Sequence, residues 1–278
     1  MTSTEPLRRN VTAVKVLAVN DGIRSERPDT VATEEPMEIR VGATGQEARS
    51  VAVTMRTPGN DFELAVGFLF TEGLIAPGDV HRVAYCDDLG GEEQRYNVVT
   101  VTLARPFDHE RLHRNFFATS SCGICGKAAL EDVEVRCAPL VPGPEVRADM
   151  LVGLPDALRA EQKVFDRTGG LHAAGLFSSE GRLASLKEDV GRHNAADKVI
   201  GEQVLLGTVP LSDRILQVSG RASFEIVQKA AVAGIPVVSA VSAPTSLAVE
   251  AGERLGMTIV GFVRDGRLNV YTHPERIV

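Results

Sequence analysis

Apolar residues in the first hundred positions are grouped in short runs, separated by polar and glycine-containing stretches. Runs of this length that are rich in Val, Ile and Thr predict β-strands. The predicted strands cover residues 11–19, 37–41, 50–56 and 96–103. The polar stretch from Asp21 to Thr33 is predicted to be a loop.

One helix is predicted within this strand-rich part of the chain. Asn60 is predicted to cap it, with Glu63 three residues later as in a capping box. Gly73 follows the last apolar position and is predicted to end the helix. The apolar residues that recur at helical spacing are Phe62, Ala65, Val66 and Leu69.

The second half of the chain alternates between strand-like and helix-like segments. This alternation is typical of a largely parallel sheet with helices on its faces. We therefore predict an α/β domain over residues 151–278, preceded by a smaller α+β region over residues 1–150. The predicted helices lie at 156–165, 193–206, 223–233 and 245–255. The predicted strands lie at 171–177, 215–218, 237–241, 258–263 and 268–271, and one more strand ends near residue 187.

Composition narrows the functional classes. The chain has 278 residues, of which 44% are hydrophobic and 24% charged, as in ordinary soluble α/β proteins. Its net charge of -7 argues against general nucleic-acid binding. No apolar run reaches the roughly 18 residues needed to span a membrane. Four cysteines do not form a disulfide framework, so a cytoplasmic protein with free thiols is predicted.

Polar, glycine-containing segments stand where strands end and helices begin in the second half. Ser219-Gly220-Arg221 follows one predicted strand, and Arg192 and His193 open a predicted helix. Ligands of open α/β sheets bind at such positions, so a pocket for an anionic ligand is predicted here. The cations assigned to this pocket are Lys187, Arg192, Lys198, Arg221, Arg264 and Arg267.

Two histidines lie near these segments. His193 stands at a helix start, where a ligand-binding role and a structural role are both open. His172 lies in an apolar strand after two glycines and is predicted to be a core histidine with its hydrogen bonds satisfied.

The motif Cys122-Gly123-Ile124-Cys125 carries the main candidate chemistry. Two thiols at this spacing can form a disulfide, hold half of a metal site or carry sulfur as a persulfide. Lys127 and a predicted helix start at Ala128 favour the thiolate form. The motif lies in a segment from 104 to about 150 that is predicted to be long and mobile. Cys86 and Cys137 are interpreted as bystanders.

Many ordered motifs, taken together, resemble the FdhD/NarQ family, the formate dehydrogenase accessory sulfurtransferases. The resemblance spans most of the chain, and so many motifs in one order are far more specific than a bare C-x-x-C. The motifs are EEPMEIR from Glu34, MRTPGND from Met55, SCGICGK from Ser121, TGGLHAA from Thr168, EDVGRHNA from Glu188, SGRASFE from Ser219, AGIP from Ala233 and VGF from Val260.

The resemblance implies a C-terminal domain of cytidine-deaminase-like fold, a smaller N-terminal domain and a homodimer. Deaminases of this fold bind zinc through H-x-E and P-C-x-x-C motifs. In this chain Ala195 stands where the H-x-E glutamate would follow His193, and Ser219-Gly220-Arg221 contains no cysteine. The resemblance therefore implies the fold without the deaminase zinc site.

The resemblance also implies a function. Family members would carry sulfur from a cysteine desulfurase to the bis-molybdopterin guanine dinucleotide molybdenum cofactor of formate dehydrogenase. Cys122 would bear the persulfide, and Cys125 would relay the sulfur, resolve Cys122 or only assist. The residues of the family's cofactor-binding segment are Phe262, Val263, Arg264, Asp265, Gly266 and Arg267, to which the strand-end argument adds Ser219, Gly220, Arg221, Arg192 and His193.

Three alternative functions remain open at this point. His109 and His113 precede the two cysteines and could complete a tetrahedral zinc site with them. A chaperone could bind and deliver the cofactor without moving sulfur. A thiol–disulfide oxidoreductase is the weakest alternative, because no thioredoxin-like βαβ pattern surrounds Cys122 and Cys125.

Overall fold

A computed structural model describes residues 9–86, 95–108, 140 and 143–278 of this mixed α/β protein. The first element is a hairpin of β1 (Val11–Asn20) and β2 (Ile23–Ala32), paired over all ten positions. The predicted loop at 21–33 was therefore wrong. Asp21 and Gly22 both have positive φ, 49° and 82°, as a tight type I′ turn requires. The Asp21-Gly22 pair predicts a hairpin here, and it is a better guide than the polar composition of β2, which predicts a loop.

A four-stranded sheet follows, in the order β4-β3-β6-β5. Its strands are β3 (Glu35–Ala43), β4 (Arg49–Arg56), β5 (Val80–Tyr85) and β6 (Val98–Leu103). Three of these strands match the predicted runs, whereas β5 was not predicted.

Helix α1 (Asp61–Thr71) packs on this sheet and begins where predicted. The capping box does not form, because Asn60 takes a left-handed conformation and its amide donates to the Glu63 carboxylate at 3.1 Å rather than pairing with the backbone.

The second half forms a six-stranded sheet in the order β12-β11-β10-β9-β7-β8. Only the pairs β9–β10 and β10–β11 are parallel, so the prediction of a largely parallel sheet was wrong. Short turns join β7 to β8 and β11 to β12, and a short turn can only join antiparallel strands. The strands are β7 (His172–Ser178), β8 (Leu183–Asp189), β9 (Arg214–Val218), β10 (Val237–Ala240), β11 (Thr258–Arg264) and β12 (Arg267–Val270).

Within the part of the chain that the structure describes, five helices accompany this sheet. The single helix predicted at 156–165 is instead two helices, α2 and α3. Among the described residues, no helix combines the length and apolar character that crossing a bilayer requires. The helices are α2 (Ala148–Ala160), α3 (Lys163–Thr168), α4 (Arg192–Leu206), α5 (Phe224–Val232) and α6 (Ser246–Leu255).

Helices α1 and α4 join the two sheets. Gly67 of α1 and Gly201 of α4 face each other so closely that neither position has room for a side chain. One apolar core runs through this contact, from Ile39 and Leu69 on one side to Val199 and Leu216 on the other. The boundary proposed at residue 150 stays a prediction.

Candidate functional site

The carboxyl ends of the three parallel strands meet at one edge of the six-stranded sheet. Backbone hydrogen bonds link their extensions, from the Ser242 amide to the Gly220 carbonyl at 3.3 Å and from the Phe262 amide to the Ser242 carbonyl at 3.2 Å. The Ser219 hydroxyl accepts from the Ala173 amide at 2.9 Å, which ties β7 to the same edge. The structure therefore brings together segments that the sequence analysis selected separately.

A cavity of about 720 Å³ opens at this edge. Of the predicted cofactor residues, Ser219, Arg264, Asp265 and Gly266 line it. Helices α2 and α3 also contribute residues to its lining. This volume is in the range of sites that enclose drug-sized and cofactor-sized ligands.

The other residues of the β11–β12 turn play different parts. Val263 is fully buried in an apolar cluster and does not line the cavity, so the predicted contact of this residue with a ligand is not supported. Phe262 has a φ of 54°, at an irregularity in the pairing of β11 with β12. The Arg264 guanidinium lies 5.8 Å from the centre of the Phe262 ring, and Arg267 lies 3.9 Å from Asp265. The charged side chains of Arg264, Asp265 and Arg267 are therefore exposed in this turn, whereas Val263 before them is buried.

His172 is not the satisfied core histidine that was predicted. It is half-buried, it lines the cavity, and no hydrogen bond to its ring is found within the described ranges. Burial lowers the pKa of His172, and the nearby Arg192 guanidinium lowers it further. A side chain at Gly220 would touch both residues, 3.6 Å from the His172 ring and 3.9 Å from Arg192. A neutral imidazole with free hydrogen-bonding capacity thus faces the cavity.

Arg192 and His193 occupy the first turn of α4. The Nε of Arg192 is buried and has no hydrogen-bond partner in the described part of the chain. His193 points toward the start of α5, where its Nε2 lies 3.3 Å from the Ser223 hydroxyl and 3.8 Å from Glu225. Arg221 is exposed and lies just before α5. His193 therefore belongs to the contact between α4 and α5 rather than to the lining of the cavity.

His193 gives a testable pH dependence. Burial first, and then Arg192, lower the pKa of His193 from 6.5 to about 4. Between pH 6.5 and about 4, His193 is protonated in the unfolded chain but neutral in the folded protein. This difference lowers the free energy of unfolding as the pH falls through that range, and it has no effect above it. An NMR titration should give a His193 midpoint near 4. Urea unfolding of His193→Gln should show a smaller loss of unfolding free energy between pH 7 and 4.5 than the wild type shows. An ordinary midpoint near 6.5 would contradict the burial argument.

Two lysines assigned to the basic pocket lie elsewhere, and the assignment is corrected. Lys198 is buried and contacts Asp189 at 2.7 Å, and Lys187 contacts Glu202 at 2.6 Å. Each therefore neutralises a carboxylate of the same half of the chain. A lone lysine in a sequence does not reveal such a partner, because the pairing depends on how α4 crosses the sheet.

Asp189 is an organising residue that the sequence analysis did not select. Its carboxylate accepts from the Thr57 amide at 3.1 Å, the Gly191 amide at 2.8 Å and the Asn194 side chain at 2.9 Å, in addition to Lys198. These contacts hold the first turn of α4 against the segment that precedes α1. Its place inside the EDVGRHNA motif was the available signal.

The wall formed by α2 and α3 was also missed. Val152, Pro155, Asp156 and Arg159 of α2 and Phe165 of α3 line the cavity. The available signal was the mixture of apolar and charged residues at helical spacing on one face of α2.

The cysteine motif lies outside the described residues, as do His109, His113 and Cys137. Cys86 is described, and it is a half-buried free cysteine. Within the described ranges, no group of three or more His, Cys, Asp or Glu side chains is placed to bind a metal ion.

The fold and the site define an α/β protein with an open cavity at the carboxyl ends of parallel strands, whose lining includes Ser219 and the glycine-containing turn at Arg264, Asp265 and Gly266. The FdhD/NarQ family profile matches residues 32–278, and the chain belongs to this family. It is 51% identical over 269 residues to the sulfur carrier protein FdhD of Mycolicibacterium paratuberculosis, covering 95% of this chain and 97% of that one.

Proteins of other organisms are also similar to this chain. The sulfur carrier protein FdhD of Sulfolobus acidocaldarius is 46% identical over 265 residues, covering 95% of this chain and 97% of that one. A crystal structure described as a formate dehydrogenase accessory protein from Desulfotalea psychrophila superposes with a TM-score of 0.73 at 25% identity. That match covers 97% of this chain and all of the other.

Proposed function

We propose that this protein is a sulfur carrier for formate dehydrogenase. It would receive sulfane sulfur from a cysteine desulfurase as a persulfide on Cys122. It would pass this sulfur to the bis-molybdopterin guanine dinucleotide molybdenum cofactor, bound as substrate before its insertion into the dehydrogenase. Family membership and the names of the relatives support the carrier role.

The cavity is the observation that carries the cofactor part of the proposal. The turn that matches the family's cofactor-binding segment contributes Arg264, Asp265 and Gly266 to its lining, and Ser219 comes from a second strand end. A ligand with several phosphates needs cations, and Arg264 supplies one at this edge of the sheet, beside Gly266. The His172 ring also lines the cavity, and no hydrogen bond to it is found within the described ranges, so it is a further group that could meet such a ligand.

The loading step is a thiol exchange that balances without an external oxidant. The Cys122 thiolate attacks the sulfane sulfur of the desulfurase persulfide and forms a new sulfur–sulfur bond. The old bond breaks, and the desulfurase cysteine leaves as a thiolate. In the delivery step the acceptor provides the electron pair that binds the sulfur, and Cys122 returns to the thiolate.

Loading can be measured directly. After incubation with a cysteine desulfurase and cysteine, the intact mass of the wild type should rise by one or more sulfur atoms, and a reductant should remove them. Cys122→Ala should gain no such sulfur, because the accepting thiolate is missing. Cys125→Ala is the matched control, with one thiol removed from the same motif.

Each other outcome favours a named alternative. If the wild type gains no sulfur beside an active desulfurase, the carrier proposal fails, and zinc analysis of the wild type and of His109→Ala tests the metal alternative. If Cys122→Ala still binds cofactor and still activates formate dehydrogenase, the protein acts as a chaperone without sulfur transfer.

The proposal also includes a cytidine-deaminase-like C-terminal domain, a homodimer and a cytoplasmic location. The mixed six-stranded sheet, with α4 beginning at Arg192 and α5 at Phe224 on one edge, supports the first of these. Light scattering on the purified full chain would measure the second.

A further inference from the structure

The β1–β2 hairpin stands outside the apolar core of the protein. Within the described residues it forms a two-stranded sheet of its own, none of its residues is buried, and neither core cluster includes any of them. Its large apolar side chains at Leu17, Val19, Ile23 and Val31 are exposed, Ile23 by 73%. A two-stranded hairpin alone is at best marginally stable in water, and a third strand stabilises it. The hairpin therefore has the character of a surface that another strand covers.

The register of the hairpin decides which backbone groups point outward. The two-residue turn makes Asn20 and Ile23 the first hydrogen-bonded pair, and every second pair along the hairpin is then also hydrogen-bonded. The same alternation holds at the open end, where the Thr33 amide donates to the Asn10 carbonyl at 3.0 Å. The odd-numbered residues of β1 therefore direct their amides and carbonyls away from β2. These residues are Val11, Ala13, Lys15, Leu17 and Val19.

The two outer edges of the hairpin differ in chemistry. On the edge of β2, the outward positions include Arg24, Glu26 and Pro28. Charged side chains, and a proline without an amide hydrogen, protect an edge against the addition of a further strand. On the edge of β1, Lys15 is the one charged residue among the five outward positions. β1 is therefore the edge that can accept a strand.

The hairpin is anchored beside the cavity. β2 contacts α3, and a Cβ placed on Gly170 would lie 4.0 Å from the Cβ of Ala32, the last residue of β2. Gly169, Gly170 and Phe165 of α3 and its C-terminal turn all line the cavity. A protein that pairs with β1 is therefore held next to the site where the cofactor is proposed to bind.

The charge at the centre of β1 argues against a second copy of this chain as the added strand. The five outward positions are symmetric about Lys15, so two β1 strands paired antiparallel along their full length place Lys15 opposite Lys15. Like charges directly opposite each other destabilise an antiparallel pair. An aspartate or glutamate at the centre of the added strand would pair with Lys15 instead. The charge pattern therefore favours a different protein as the occupant.

We propose that β1 is a docking edge for an extended segment of the protein that accepts the cofactor. This segment adds a third strand to the hairpin and places a carboxylate opposite Lys15. Backbone hydrogen bonds along the edge supply affinity, and the Lys15 contact sets the register. The inference rests on the proposed function for the identity of the acceptor, formate dehydrogenase, and it adds which surface of the carrier the acceptor meets.

Hydrogen exchange of the full-length protein, alone and with purified formate dehydrogenase apoprotein, tests the docking edge. The outward amides of β1, such as that of Leu17, should exchange fast in the free protein and become protected in the complex, because each gains an acceptor. The outward amides of β2, such as that of Glu26, are the internal control. Their exchange should not change.

A matched pair of proline variants separates the two edges. Leu17 and Glu26 lie opposite each other in the hairpin, and both direct their amides outward. Leu17→Pro should weaken binding of the apoprotein by about tenfold, because it removes an outward donor and blocks the edge of β1. Glu26→Pro makes the same backbone change on the edge of β2 and should leave the affinity unchanged.

A matched pair of charge variants tests the register without a change in the backbone. Lys15→Glu should weaken binding by about two- to fivefold, as expected for an exposed ion pair, and added salt should reduce the difference. Arg24→Glu makes the same change in charge on the edge of β2. It should leave the affinity unchanged.

The results that overturn this inference differ from those that overturn the proposed function. Unchanged binding in Leu17→Pro, or equal weakening by Leu17→Pro and Glu26→Pro, overturns the docking edge. Protection of the outward β1 amides in the free protein also overturns it, and light scattering then shows whether a second copy covers the edge. In these cases the proposed function stands. If the apoprotein does not bind the wild type, the docking edge and the dehydrogenase part of the proposed function both fail, whereas persulfide loading of Cys122 is measured independently.

Discussion

Replacing Gly201 with alanine is expected to lower the free energy of unfolding by about 3 kcal/mol or more. A Cβ at this position would lie 1.9 Å from the Glu63 carbonyl oxygen and 2.6 Å from the Gly67 amide nitrogen. Both atoms belong to the backbone of α1, so no side chain can rotate away to make room. The helices must move apart, which opens the core between the two sheets. Urea unfolding followed by circular dichroism measures the loss.

The matched control is Gly153→Ala, another glycine inside a helix. Its Cβ would meet nothing within 4 Å, so alanine should be neutral or stabilise the protein by about 0.4–1 kcal/mol through its better helix propensity. Gly67→Ala should behave like Gly201→Ala, because its Cβ would lie 1.9 Å from the Asp197 carbonyl oxygen. Equal stabilities for Gly201→Ala and Gly153→Ala would show that α1 and α4 do not pack this closely.

Replacing Asp189 with alanine is expected to cost about 3–5 kcal/mol. The Asp189 and Lys198 side chains are 0% and 1% exposed, and their charged atoms are 2.7 Å apart. Within the described residues, the substitution leaves the buried Lys198 ammonium with the carbonyls of Thr57 and Glu188 as its remaining partners. It also removes the acceptor of the Gly191 amide, so the first turn of α4 loses its anchor.

A double substitution separates the charge effect from the packing effect. Asp189→Ala combined with Lys198→Met should recover part of the lost stability, because a buried ion pair replaced by apolar groups is often tolerated. Glu250→Ala removes an exposed ion pair with Arg254 on α6 and should change stability by less than about 0.5 kcal/mol. If the double variant were less stable than Asp189→Ala, the buried charge would not be the cause of the loss.

The strands with clear apolar runs could be predicted because their signal is local. β3, β6 and β9 carry alternating or continuous apolar residues that are buried in the structure, whereas β4 forms as predicted but exposes Val53 and Met55. β2 could not be found this way, since its Arg, Glu and Asp residues resemble a loop and only the Asp21–Gly22 turn indicates a hairpin. β5 is short and only partly buried, so its pattern is weak.

Part of the candidate site could also be anticipated. Ser219 and the Arg264–Gly266 turn line the cavity because strand ends are recognisable in a sequence and ligands bind there. Val263 turns into the core because a pairing irregularity changes the direction of its strand. The sequence alone could not decide which way that side chain points.

The sequence by itself determined the family, the strands and the last three helices of the second half, and the residues at the strand ends, because each depends on local patterns or ordered motifs. Only the tertiary structure decided the strand directions, the glycine contact between α1 and α4, the partners of Lys187 and Lys198, and the cavity wall at Asp156 and Phe165. These features join residues far apart in the chain, and they depend on distances and angles between packed elements that no local pattern contains.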